Sequence, residues 1–242
     1  MSALPTRRDE AFRYADLAAL EALWPLPVQE IRVAAAEQGA SAVVLDGAND
    51  AAQDIAITLE DGAEYDLRLL NAGSAYGRIS VKVTLGKGAR FHLGAAQIAG
   101  GEQSAEIVTE VVHAEPDAFS SQVVRSVLGG KATGTYLGRV VVARGAIGTD
   151  GSQSIRAMLL DRTATANARP ELEIYADDVK CAHGCAVGEL DQQSLFYLAQ
   201  RGLPPAEAKK LMLHAFIAEA FVGAADEEAL TEAALKALDA VL

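Results

Sequence analysis

The chain has 242 residues, half of them hydrophobic, and its 21 Lys and Arg against 33 Asp and Glu leave a formal charge of −12. That length and apolar content allow one large or two small domains with a sizeable core, and exclude a mainly disordered chain. The acid excess, with no basic run longer than Arg7-Arg8 or Lys209-Lys210, repels phosphate backbones and anionic lipid, so neither nucleic acid nor a membrane surface is expected as a partner.

Residues 8–23 predict a first helix, with Phe12, Leu17, Leu20 and Leu23 on one stripe, acids near its start and Pro25 and Pro27 beyond its end. From about residue 31 to 180 the pattern changes to short alternating runs, as in Ile55–Leu59, Tyr65–Leu69, Ile79–Val83 and Arg90–Leu93, the period of half-buried strands. Later runs, at 106–113, 122–128, 136–143, 154–160 and 171–176, start 14 to 18 residues apart. Such recurrence suggests stacked rungs of a parallel solenoid. A sandwich of hairpins has similar spacing, but no Asn-Gly or Asp-Gly turn joins consecutive runs, and several connections are 6 to 10 residues long.

After residue 190 the chain reads as helical. Asp191 can cap a short helix that Gly202 ends; Pro204-Pro205 and Glu207 open a second, and a third starts near Asp226. In the second, Ala208, Leu211, Met212, Ala215, Phe216, Glu219 and Val222 share one face, apolar but for the acid. The third carries Leu230, Ala234, Leu238 and Val241.

The common enzyme signatures are absent: no GxxxxGK[ST], no Rossmann glycines after a strand, no GxSxG and no HExxH. The acidic pair Asp177-Asp178 suits a turn better than glycoside chemistry, because neighbours in a strand point to opposite faces. The charged opening through Glu10 has no apolar centre of a signal peptide and no apolar run reaches the ~18 residues of a span, so the expected compartment is the cytosol. There, the two cysteines are free or metal-directed rather than bridged.

Both lie in VKCAHGCAVGEL, residues 179–190, where Cys181, His183 and Cys185 alternate strictly. In a strand all three face one way, successive members ~6.6 Å apart along the chain. Ligand atoms of a zinc or iron ion lie within about 4 Å of each other, so three in line do not close a site. Four thiolates normally hold an iron–sulfur cluster, and this chain has two. The same alternation equally describes a strand packed into a core, with the histidine bonded to backbone. His92, His113 and His214 read as structural, and Tyr197 and Arg201 as helix contacts.

The stretch PELEIYADDVKCAHGCAVGELDQQSLFYLAQRGLPPAEAKKLMLHAF, residues 170–216, strongly resembles the C-terminal signature of the SufB/SufD family, scaffold subunits of the SUF iron–sulfur assembly machinery. Its KCxHG form looks like the SufD branch. The opening PTRRDEAFRY with Asp16-Leu17, and TYLGRVVVARGAIGTD with SQSIRAMLL, are similar to the family's opening and middle strands. The resemblance implies a mainly β protein: a right-handed parallel β-helix flanked by helices. The pattern along the chain divides it into an N-terminal helical segment at 1–30, a β-helix core at 31–180, and a cluster-motif strand with a helical subdomain at 181–242. The resemblance also implies pairing with SufB and docking of the ATPase SufC, with no enzymatic role of its own. His183 is then a ligand to a nascent cluster or iron at the SufB interface and Cys181 its weaker companion, with no cofactor stably bound by the isolated chain. Cys185 stands where the family more often has Ala, adding a thiol to the metal-binding candidates. The region between the first helix and the β core is shorter than the SufD pattern.

On the second C-terminal helix, Glu219 is an acid on an apolar face that needs an answer, and with Phe216 it is the expected contact for SufC. Two other readings stand beside this one: a homodimer paired across the β-helix in place of SufB, and a β-helix enzyme acting on polysaccharide, against which the missing acidic cluster and secretion signal speak.

Overall fold

The computed structural model describes residues 3–47 and 49–242. A 3-10 turn, Glu10–Phe12, and a short helix α1, Leu17–Glu21, precede twelve strands: β1 Val28–Val33, β2 Gln38–Leu45, β3 Ala51–Leu59, β4 Glu64–Ala72, β5 Tyr76–Leu85, β6 Arg90–Ala99, β7 Ser104–His113, β8 Phe119–Leu128, β9 Thr133–Val142, β10 Asp150–Leu159, β11 Thr165–Ile174 and β12 Lys180–Gly188. Three helices follow: α2 Gln192–Gln200, α3 Pro205–Ala218 and α4 Glu227–Asp239. No helix among the described residues is long and apolar enough to cross a membrane.

Consecutive strands alternate between two six-stranded sheets, ordered β1-β3-β5-β7-β9-β11 and β12-β10-β8-β6-β4-β2, and every pairing is parallel. This is a parallel solenoid of about six turns, not a sandwich of hairpins. Arg90, Phe119, Asp150 and Lys180 occupy one position in successive coils, so a late coil takes about 30 residues. The 14-to-18-residue recurrence in the sequence is therefore a half-coil. Strands β7 to β11 begin two to six residues before the apolar runs that signal them, as β8 at Phe119 and β11 at Thr165 show, because backbone pairing continues into the polar ends. Likewise β12 extends the solenoid to Gly188, past the boundary at residue 180.

One core fills the lumen between the sheets with residues such as Leu67, Leu69, Ile79, Val83, Phe91, Leu93, Ile107, Val124 and Ile155. A second lies on the outer face of the even-numbered sheet, where Leu70, Ala96, Ile98 and Val127 meet Leu213, Ile217, Phe221, Leu230, Ala234 and Leu238. Strand β4 is thus covered on both sides and loses its alternation at Leu67–Ala72.

Two helical expectations are corrected. The segment 8–23 is not one helix: the Asp16 carboxylate accepts hydrogen bonds from the backbone of Ala18 and Ala19, starting a new helix there. Before that break, Arg78 reaches from β5 to the Ala11 carbonyl at 2.8 Å and lies over the Phe12 ring, pinning the turn to the solenoid. Within α3 the buried face is Ala208, Leu213 and Ile217, while Leu211, and Val222 beyond the helix end, are exposed. The expected stripe is rotated because the end of α3 is seated by contacts that its own sequence does not show. The Arg68 Nη1 donates to the Ala220 carbonyl at 2.9 Å, and that carbonyl lies directly above Gly94. Capping of α2 by Asp191, the opening of α3 at Pro205 and the Leu230, Ala234, Leu238 stripe of α4 agree with the sequence reading.

Candidate functional site at the mouth of the solenoid

Among the described residues, strands β11 and β12 each pair on one side only, with β9 and β10, and so end the solenoid. On β12 the register fixes three rows: Phe91, Ser120, Gly151 and Cys181; Leu93, Gln122, Gln153 and His183; Ala95, Val124, Ile155 and Cys185. Phe91, Leu93, Ala95, Val124 and Ile155 belong to the lumen core, so the three candidate residues stand on the lumen side of the last half-coil. Cys181 packs against that core and is partly buried, while His183 and Cys185 are exposed because no further coil covers them.

The lumen changes character as it approaches this mouth. Thr109 and Tyr136 both donate to the Gln122 carboxamide oxygen at 3.0 Å, and His113 Nε2 lies 2.8 Å from the Ser120 hydroxyl, all buried. Burial holds His113 neutral, its pKa lowered to about 4. Gly138 makes room for the Tyr136 ring, whose hydroxyl would lie 2.4 Å from a Cβ there. A point near Gly151, where a Cβ would sit, is 3.6 Å from Cys181 Sγ, His113 Nε2 and Ser120 Oγ alike, so thiol, imidazole and hydroxyl surround one small space. Of these polar lumen residues, His113 was read as structural and Cys181 as a candidate, while Thr109, Ser120, Gln122 and Tyr136 were missed in the sequence reading. The signal was present, since Gln122 alternates with Val124 and Gln153 with Ile155.

Burial raises the pKa of Cys181, opposed by a hydrogen bond from the Gly151 backbone, and burial likewise raises that of Cys185, whose Sγ is 3.9 Å from the Ala168 carbonyl on β11. Both thiols are therefore protonated at neutral pH until something binds them. Among the described residues no group of three His, Cys, Asp or Glu is brought together to hold a metal. Cys181, His183 and Cys185 share a face and a mouth, but the strand keeps them apart.

The other expected residues fall elsewhere. Glu219, at the end of α3, receives 2.8 and 2.7 Å hydrogen bonds from Arg125 Nε and Nη2, and the Arg125 guanidinium stands 5.9 Å from the Phe216 ring centre. The acid on the helix is thus answered inside the chain, by an arginine on β8 that also donates to the Val124 and Ser154 carbonyls. Asp177 and Asp178 sit exposed in the turn between β11 and β12. Arg201 lies over the Tyr197 ring, and His214 lies 3.1 Å from Asp239, contacts within the helical subdomain.

Residues 35–216 match the family model described as SUF system FeS cluster assembly, SufBD core domain. The chain is 38% identical over 108 residues to the iron-sulfur cluster assembly protein SufD of Escherichia coli (strain K12), covering 45% of this chain and 26% of that protein. It is 28% identical over 155 residues to SufD of Bacillus subtilis (strain 168), covering 64% and 35%, and 32% identical over 162 residues to the chloroplastic protein ABCI7 of Arabidopsis thaliana, covering 66% and 34%. The aligned regions thus span about a quarter to a third of these curated relatives. A solenoid whose last strand carries the KCxHG motif and a family match over most of the sequence lead to one conclusion: the chain belongs to the SufB/SufD family of the SUF iron–sulfur cluster assembly system.

Proposed function

We propose that the chain is a SufD-like scaffold subunit, without catalytic activity of its own, on which a nascent iron–sulfur cluster is assembled at the mouth of the solenoid. The observation that carries this reading is the placement of Cys181, His183 and Cys185 on the lumen side of a terminal strand whose outer edge is free. Such an edge presents unpaired backbone groups to a second strand, so a SufB-like solenoid docked there would complete both the sheet and the ligand set. His183 is the principal ligand, since its imidazole is exposed and can turn to a metal without losing a core contact; Cys181 supports it, and Cys185 contributes least. Iron or the cluster is cargo, delivered and passed on, with ligands completed by the partner.

An SufC-like ATPase docks, in this reading, on the C-terminal helices. Phe216 and Glu219 lie at the rim of α3, and Glu219 keeps 47% of its side chain exposed while paired to Arg125. Leu211 and Val222 on the same helical hairpin are also exposed, apolar and outside the intrachain core.

The test is co-expression with a SufB-like and a SufC-like protein, followed by purification and anaerobic cluster formation. The three should co-purify. His183→Ala should assemble and lose cluster formation, Cys181→Ala should lose less and Cys185→Ala least. A His183→Ala complex that assembles and forms cluster at the wild-type level sinks the ligand role. Leu211→Asp with Val222→Asp should release the ATPase and leave the solenoid partner bound. The same free edge also supports a second reading, a homodimer when no SufB-like partner is present.

A further inference from the structure

One row of lumen side chains runs Leu67, Leu93, Gln122, Gln153, His183 through successive coils, apolar at first and polar in its last three members. Gln122 and Gln153 are 1% and 3% exposed, and a buried carboxamide is costly unless its atoms find partners. The Gln122 oxygen has two, Thr109 and Tyr136, but its Nε2 has none. Gln153 Nε2 reaches the Tyr136 hydroxyl only at 3.5 Å, and its Oε1 has no partner. The next side chain along the row, His183, makes no hydrogen bond among the described residues.

Neighbouring strands stand ~4.8 Å apart. The unpartnered oxygen of Gln153 therefore lies one rung from an unpartnered amide donor on one side and one rung from an imidazole on the other. A carboxamide oxygen has two lone pairs, enough for both. We propose that Gln153 is the positioning residue for His183: its Oε1 accepts the ring N–H of His183 and the Nε2–H of Gln122, so that the other ring nitrogen turns its lone pair out of the mouth. Gln122, Tyr136 and Thr109 hold Gln153 in turn. An imidazole ligand needs its second nitrogen protonated and oriented by an acceptor, which this row supplies from inside the protein. The inference rests on the reading of His183 as a cluster ligand.

The test uses the full chain, without metal, labelled with 15N-histidine at a pH where imidazole is neutral. Long-range proton–nitrogen correlations assign its tautomers, and His183→Ala identifies the signal. Wild type should show one dominant tautomer at His183; comparable populations of both overturn the proposal without any variant. Gln153→Met, close to isosteric but unable to accept, should give a mixture, and Gln153→Glu, which keeps an acceptor, should restore a single form. An unchanged tautomer in Gln153→Met also overturns it. In the assembled complex Gln153→Met should lower cluster formation about 10- to 100-fold. If His183→Ala leaves cluster formation intact while Gln153→Met scrambles the tautomer, the positioning stands and the ligand role is what fails.

Discussion

Arg125 is 1% exposed and Glu219 about half exposed, so their pair is asymmetric: the cation is committed to the fold and the acid can still meet solvent. Hydrogen bonding from Arg125 holds the Glu219 carboxyl below its ordinary range. A carboxylate with a lowered folded pKa stabilises the fold above its unfolded pKa, and that contribution fades as pH falls through the lowered value. Glu219→Gln should therefore cost about 1 kcal/mol near pH 7, discounted for exposure, and the difference from wild type should shrink towards pH 3 in urea titrations. A constant difference across that range would show that the loss is one of packing. The sequence showed that Glu219 needed an answer and could not show that it came from position 125, 94 residues away. The shared face of Cys181, His183 and Cys185 was legible for the opposite reason. Strict alternation on one strand is local information, and parallel pairing merely adds that their shared face is the lumen.

At the scale of elements, the cap of α2, the opening of α3 and the buried stripe of α4 were read correctly, and the buried face of α3 was not. Asp191 and Pro205 act within one turn of where they stand, whereas the buried side of α3 depends on Arg68, Gly94 and Arg125 from three different strands. Gly94 is the sharpest of these. A Cβ there would sit 1.8 Å from the Ala220 carbonyl and 2.4 Å from Arg68 Nη1, a clash with backbone that no rotamer relieves. Gly94→Ala should lift the end of α3 and destabilise the protein by about 1–3 kcal/mol. Hydrogen exchange should rise first in α3 and α4, with the strand amides of β9–β12 unchanged; equal acceleration everywhere would place the damage in the sheet. The broken N-terminal helix has the same origin, since Arg78, buried against Glu106 at 2.5 Å, captures the Ala11 carbonyl from outside the segment.

For the whole molecule, the half-coil repeat and the absence of tight turns were enough to favour rungs over hairpins, because turn chemistry and strand spacing are written locally. The number of coils and the strand order were not, since parallel neighbours lie about 30 residues apart and share no sequence signal. The free edge of β12 has a consequence in solution. Without a SufB-like partner the chain should self-associate reversibly, seen as a concentration-dependent mass by light scattering. Val187→Lys, placing a charge on this exposed strand, should weaken that association at least about tenfold. A mass unchanged by the substitution would put the contact on another surface.

The seating of the C-terminal helices also divides the solenoid mechanically. Arg68 on β4, Gly94 on β6 and Arg125 on β8 lie in three consecutive coils, and α3 touches all three, so the helical hairpin acts as a splint across the middle of the stack. In a stack where each coil otherwise leans only on its neighbours, a splint makes the coils beneath it open together and leaves those beyond it to fray singly. The terminal strands β11 and β12 lie beyond it. The half-coil bearing Cys181, His183 and Cys185 is then the compliant end of a stiff rod, the property that the proposed docking and cluster release would draw on while the middle holds its shape. Amide exchange falling in steps from β12 through β10 to a common slow value in β8, β6 and β4 is the pattern this mechanics requires.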